Sequence, residues 1–107
     1  TAALLGRAEP PTAIIYANDV MAIAGLSYAR SRGLRVPEDL SVTGFDDSEL
    51  SAHLSPGLTS VSTGADIRGA APPRTLLAAL AGEAEASVAL DCTTVVQRDS
   101  IMSPATA

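Results

Sequence analysis

The sequence predicts an α/β domain: a parallel sheet with flanking helices. Two observations carry that prediction. Two apolar, β-branched runs, Ala13-Ile14-Ile15-Tyr16-Ala17 and Leu40-Ser41-Val42-Thr43-Gly44-Phe45, flank one segment with helical spacing. Each run also ends in a doubled polar pair, Asn18-Asp19 and Asp46-Asp47. A strand–helix–strand order implies a right-handed crossover between parallel neighbours. Small ligands bind at the carboxyl ends of such strands, so the two pairs mark a candidate ligand site.

Taken in order, residues 2–8 have helical composition and stop at Pro10-Pro11. Residues 12–17 read as a fully buried strand, being a short apolar run with β-branched side chains. Asn18 or Asp19 can cap the next helix, since either side chain accepts from its orphan N–H groups. Met21, Ala24, Gly25, Tyr28 and Ala29 follow at i, i+3, i+4, i+7 and i+8, which is one helical face. Arg30 and Arg32 suit the last turn and Gly33 stops it. Val36-Pro37-Glu38-Asp39 is a turn, and residues 40–45 form a second strand, apolar enough to be buried on both faces.

Residues 48–54 are a short helix candidate with Asp47 or Ser48 as cap, Pro56-Gly57 a turn, and residues 58–61 a third strand. Residues 65–81 are again helical in composition, with Ile67, Ala70, Ala71, Leu77 and Leu80 on a possible stripe. An interior proline costs a helix about 3 kcal/mol or more, so Pro72-Pro73 is expected to break it, a second helix running from near Pro73 to Ala81. Gly82-Glu83 ends that helix, residues 88–97 form a last strand, and the chain from Ile101 on reads as a loose tail.

A chain of 107 residues buries roughly 65% of its unfolded surface, enough for one modest core. Hydrophobic residues make up 47% and charged residues 18%, a globular rather than a disordered balance. The net charge is −5, and all seven basic residues are scattered arginines. Phosphate binding needs a dense basic face, so this segment by itself is not expected to bind DNA. Cys92 is the only cysteine, which excludes an intrachain disulfide and favours a reducing compartment. No run approaches a membrane span, and no signal-peptide pattern opens the chain. There is no initiator Met, and the reading is of a fragment.

Both polar pairs have a plain alternative as caps and turn residues. Each pair is doubled, however, and a cap needs one member. If Asp19 caps, the Asn18 amide can donate and accept towards a hydroxyl-bearing ligand. A carboxylate from the Asp46-Asp47 pair accepting from neighbouring hydroxyls is a natural sugar contact. A catalytic dyad is disfavoured, because neighbouring extended residues point to opposite faces and glycosidase carboxylates must flank the scissile bond. His53, the sole histidine, reads as a surface or interface residue. No spacing of Cys, His or Asp suggests a metal, no glycine pattern cradles a phosphate, and no cofactor is expected. Tyr16 and Tyr28 read as packing residues.

The stretch Pro11-Thr12-Ala13-Ile14-Ile15-Tyr16-Ala17-Asn18-Asp19-Val20-Met21-Ala22 resembles a motif of lactose/galactose-repressor-type (LacI/GalR) transcription regulators. Gly33-Leu34-Arg35-Val36-Pro37-Glu38-Asp39-Leu40-Ser41-Val42-Thr43-Gly44-Phe45-Asp46-Asp47 is similar to a second, and Leu58-Thr59-Ser60-Val61 to a third. The likeness is specific from Pro11 to Val61 and weaker around residues 76–83 and 95–100. It implies the C-terminal part of a type 1 periplasmic-binding-protein-like effector domain, two α/β lobes around a cleft, without the N-terminal helix-turn-helix and most of the N-terminal lobe. It further implies a cytoplasmic, sugar-sensing repressor that dimerises and reaches DNA only through that headpiece. By the same resemblance Asn18 and Asp46 stand where the effector contacts stand, with Thr63 a weaker contact. Met21, Ala24, Gly25, Tyr28, Ala52 and His53 would lie at the dimer interface. Pro72-Pro73 and Gly57 depart from the family pattern. A periplasmic sugar-binding protein of a transporter is the alternative from the same fold, and a hydrolase using Asp46 and Asp47 the alternative from another class.

Overall fold

The computed structural model describes residues 1–82 and 93–104. The elements are α1 (Ala2–Leu5), β1 (Ala13–Ile15), α2 (Asp19–Ser31), β2 (Ser41–Thr43), a 3-10 turn (Glu49–His53), β3 (Ser60–Ser62), α3 (Ala65–Leu80) and β4 (Thr94–Val96). β1 pairs parallel with β2 in the register Ala13–Ser41, Ile14–Val42 and Ile15–Thr43, with α2 as the crossover. A parallel bridge between Thr43 and Thr59 carries the sheet on to β3, and β4 returns antiparallel along β3. The predicted strand–helix–strand unit is present.

The core is small and lies between α2 and the sheet. Ile14, Tyr16, Ala22, Ala29, Leu40, Val42 and Leu58 are buried, with Ile23, Leu26, Leu34, Val36 and Leu54 packed partly against them. The inward face of α2 carries Asp19, Ala22, Gly25 and Ala29, a register shifted from the predicted one. Of the predicted face, only Gly25 and Ala29 are buried, while Met21 and Ala24 are exposed. The reason lies in the first turn: a buried, hydrogen-bonded Asp19 points inward and fixes the helix rotation. Small residues then let the helix approach closely. A Cβ on Gly25 would collide with the Tyr16 ring, so the tyrosine lies directly against the helix backbone. Its hydroxyl pairs with Thr1 Oγ1 at 2.6 Å. Gly33, at φ 74, ends α2 as predicted. Leu34 N–H donates to Ala29 O and Gly33 N–H to Arg30 O, the paired bonds that close a helix through a left-handed residue.

Three expectations are corrected. The first strand is buried on one face only: Ile15 is 84% exposed, because nothing among the described residues covers the outer face of β1. α3 is unbroken from Ala65 to Leu80 through Pro72 and Pro73. Proline's fixed φ is itself helical, so the penalty falls on two missing N–H donors and on crowding of the carbonyls four residues earlier. Both prolines are exposed, and among the described residues no other element packs extensively against α3, so solvent reaches the crowded carbonyls. Finally, the tail is not loose where it begins. Ser100 is fully buried between β2 and β3: its carbonyl accepts from Val42 N, its hydroxyl donates to Val42 O, and Thr59 N donates to that hydroxyl. One serine thus replaces the ladder where the two strands diverge, and Met102 N follows onto Ser41 Oγ at 3.2 Å. Of the last strand only residues 94–96 are seen paired. Residues 88–92, Glu83 and Cys92 lie outside the described residues, as do the side chains of Ile67, Ala70 and Ala71.

The radius of gyration is 18.3 Å and the extents are 57 × 27 × 27 Å, against roughly 13 Å expected of a compact domain of about this length. On α3, Leu76, Leu77 and Leu80 are 61%, 66% and 77% exposed. No helix among the described residues is long and apolar enough to cross a membrane.

Candidate functional site

The β1–β2 register sets the geometry of the candidate site. Ile15 is level with Thr43, so Asn18 and Asp46, each three residues further on, emerge at the same edge of the sheet. Asp19 N–H donates to Phe45 O at 2.8 Å and Asp46 N–H to Val61 O at 2.9 Å. These bonds tie the ends of three neighbouring strands together. Thr63, just past β3, is buried at the same end. The three predicted contacts therefore share the carboxyl edge, where a strand's following loop presents side chains to a ligand.

Within each doubled pair the two members have separate surroundings. Asn18 is the cap of α2: its Oδ1 accepts from Met21 N at 2.8 Å. That excludes the arrangement in which Asp19 caps and Asn18 has both amide atoms available. What remains is the Asn18 Nδ2 group, a donor that makes no hydrogen bond among the described residues. Asp19 is 1% exposed. Its Oδ2 accepts from Ser51 Oγ at 2.6 Å and from Ser48 N at 2.7 Å, and its Oδ1 accepts from Ser60 Oγ at 2.6 Å. Burial pushes this carboxyl up, but the bonds from Ser51, Ser60 and Ser48 outweigh it and hold it below the ordinary carboxylate range. Gly44 makes room, since a Cβ there would collide with Asp19 Oδ1 and come within 3.1 Å of Leu58.

Asp46 and Asp47 both have positive φ, 101° and 50°, the left-handed side of backbone space that L-residues seldom adopt. Asp46 is exposed, and its carboxylate has no partner among the described residues. Asp47 is held: its N–H donates to Ser60 Oγ at 3.1 Å, and its Oδ1 accepts from Arg98 Nη2 at 2.7 Å. Arg98 also donates through Nη1 to Leu58 O at 2.7 Å and through its backbone N to Thr59 Oγ1 at 2.9 Å. The sequence gives little sign of Ser48, Ser51, Ser60 and Arg98 as parts of this junction. The only local signal is Ser48 directly after Asp46-Asp47, with Ser51 three residues on; Ser60 and Arg98 lie far from either pair along the chain.

The predicted interface residues divide. Met21, Ala24, Ala52 and His53 are exposed and Tyr28 is half-buried, whereas Gly25 faces inward against Tyr16 and is corrected to a core residue. A groove of about 770 Å³, lined by Ile23, Leu26, Arg30, Leu34, Leu54 and Pro56 among others, opens beside them. It shares no residue with the Asn18–Asp46 edge. Arg30 bridges it by donating to Ser55 O at 2.6 Å. Among the described residues no group of His, Cys, Asp or Glu is placed to hold a metal ion.

Comparison with known proteins agrees with the fold. A family model described as a periplasmic binding protein-like domain matches residues 2–101. The HTH-type transcriptional regulator CelR of Thermobifida fusca is 39% identical over 87 residues, covering 81% of this chain and 26% of that protein. Among solved structures, a transcriptional regulator CelR–cellobiose complex superposes with a TM-score of 0.80 at 37% identity over 90% of this chain and 30% of that one. A lac repressor dimer bound to operator and the anti-inducer ONPF does so with a TM-score of 0.80 at 33% identity over 87% and 32%. The chain thus spans about a quarter to a third of the length of these relatives. It belongs to the periplasmic-binding-protein-like domain family, in the branch found in LacI-type transcription regulators.

Proposed function

We propose that this chain is the C-terminal part of the effector-sensing domain of a LacI-type repressor, and that Asn18, Asp46 and Thr63 form one wall of its sugar cleft. The observation that carries the reading is the level register of Asn18 and Asp46 on adjacent parallel strands, with an uncommitted amide donor on one and an unpartnered carboxylate on the other. A donor and a charged acceptor side by side suit the vicinal hydroxyls of a sugar, and the charged bond is the stronger of the two. The relative solved with cellobiose supports a saccharide as the class of effector.

The role is binding, not catalysis. Asp47 is engaged by Arg98, so the two carboxylates are not a free pair for acid–base work on one bond. Met21, Ala24, Tyr28, Ala52 and His53, together with the groove in which Ile23, Leu26 and Leu54 lie beside Arg30 and Glu38, form the surface that a second copy covers. The relative solved as a dimer on operator supports that reading. This acidic segment is not the DNA-contacting part; a separate headpiece contacts DNA, in the cytoplasm. Sugar favours one of two lobe arrangements, and its differential affinity for them sets how far operator affinity shifts.

The test is calorimetric titration of the complete protein with cellobiose and a panel of mono- and disaccharides. A sugar should bind the unaltered protein, and Asp46→Asn should weaken it by about tenfold or more, as loss of a charge-assisted bond requires. Undiminished binding by Asp46→Asn contradicts the assignment.

A further inference from the structure

We propose that Asp19 is the positioning residue of this ligand wall: its buried carboxylate, bonded to Ser48, Ser51 and Ser60, sets the places of Asn18 and Asp46. The inference rests on the effector reading above and assigns the residue that builds that site without touching the sugar.

The first argument is that the hub accepts only. Ser48 N–H is a fixed donor. Ser60 Oγ already accepts from Asp47 N, so its hydrogen goes to Asp19 Oδ1. Ser51 Oγ, 3.0 Å from Ser48 Oγ, gives its hydrogen to Asp19 Oδ2. Every group facing the carboxylate donates, and an asparagine would turn an NH2 group towards at least one donor.

The second argument is what these bonds hold. They reach the backbone of Ser48 directly and that of Asp47 through Ser60, while Asp19 N–H binds Phe45 O. One residue therefore fastens the chain on both sides of Asp46. Asp46 itself sits at φ 101°, a region that L-residues leave unless surrounding bonds over-determine it. Asp19 is also the chain neighbour of Asn18. Both candidate contacts are thereby located by one side chain, and the bond to Ser51 adds the 3-10 turn that carries Ala52 and His53.

The experiment compares Asp19→Asn and Ser60→Ala in the complete protein with Leu40→Ala, a core substitution that lowers stability away from the site. Cellobiose affinity is measured well below each variant's Tm, together with amide exchange across residues 46–50. We expect Asp19→Asn to bind about tenfold more weakly and Ser60→Ala to be weakened less, since sites loosen when their supporting shell is lost. Exchange across 46–50 should quicken in these two variants, and Leu40→Ala should change neither reading. If Asp19→Asn does not fold, Ser60→Ala carries both readings. Affinity and exchange no different from those of Leu40→Ala overturn the proposal. If even the unaltered protein fails to bind cellobiose, the effector reading fails for that sugar, and exchange across 46–50 still decides whether Asp19 positions the loop.

Discussion

In the α/β body the apolar side chains of α2, β1 and β2 close on one another around Leu40, Val42 and Leu58, and polar groups at its edge are bonded to a buried carboxylate. On α3 the order is inverted: Leu76, Leu77 and Leu80 face outward and two prolines sit in the middle of the helix. Both regions are regular secondary structure. In the first, tertiary contacts hold the helix in place. In the second, the backbone holds its shape with little packed against it among the described residues. Substitutions at the two should therefore differ in kind, with large, cooperative losses in the body and local effects on the arm.

The largest effect is expected at the hub. Asp19→Ala leaves two buried hydroxyls and the half-buried Ser48 N–H without their acceptor and should cost about 3 kcal/mol or more, read from the denaturant midpoint. Leu40→Ala follows at about 2–5 kcal/mol for a truncated core leucine. Leu77→Ala on the arm should fall within about 0.5 kcal/mol, as exposed positions do. A comparable loss at Leu77 would break the contrast. Gly25→Ala, forced against the Tyr16 ring, should cost about 1–3 kcal/mol as overpacking does. On the arm, Pro72→Ala and Pro73→Ala should each restore a helical N–H donor. They should slow amide exchange in α3 while leaving the unfolding midpoint of the body nearly unmoved. A matching rise in that midpoint would show the arm to be part of the same cooperative unit.

The hub also predicts a pH dependence. Asp19 is held below its ordinary range in the folded chain. Its stabilisation is therefore complete above the unfolded carboxylate value of about 3.9 and is lost as pH falls towards the lower folded value. The stability difference between the unaltered chain and Asp19→Asn should be flat above about pH 5 and shrink below about pH 4. The smallest change is expected at Arg35–Asp39. That pair is tight at 2.7 Å, and the Arg35 guanidinium and backbone lower Asp39 to about 2. It lies in solvent, however, where such pairs contribute little.

Much of the body was legible because its periodicities are local. The two apolar runs, the helix between them, the Gly33 stop and the turn at 36–39 follow from side chains within a few positions of one another. The rotation of α2 was not legible, because it depends on Ser48, Ser51 and Ser60 meeting Asp19 from up to 41 positions away. The seating of Ser100 between β2 and β3 was hidden for the same reason, since it joins positions 58 apart. The α3 break was over-predicted because proline's rule describes lost bonds and clashes, and an exposed helix tolerates both better than a buried one. At the site, doubling and position marked the two pairs, and the family resemblance singled out Asn18 and Asp46 as the expected contacts, but the cap could be assigned to Asn18 only from the bond it makes to Met21 N.

The central claim is that each doubled pair divides into one ligand-facing and one structural residue. Thermal unfolding of the complete protein, with and without saturating cellobiose, tests it in Asp46→Asn and Asp47→Asn, substitutions that keep the side-chain shape and tolerate positive φ. The account predicts that Asp46→Asn keeps the Tm of the unaltered protein and loses most of the sugar-induced rise. Asp47→Asn should lower the Tm by weakening the bond to Arg98 and keep that rise. A full sugar-induced rise in Asp46→Asn, or its loss in Asp47→Asn, would contradict the division.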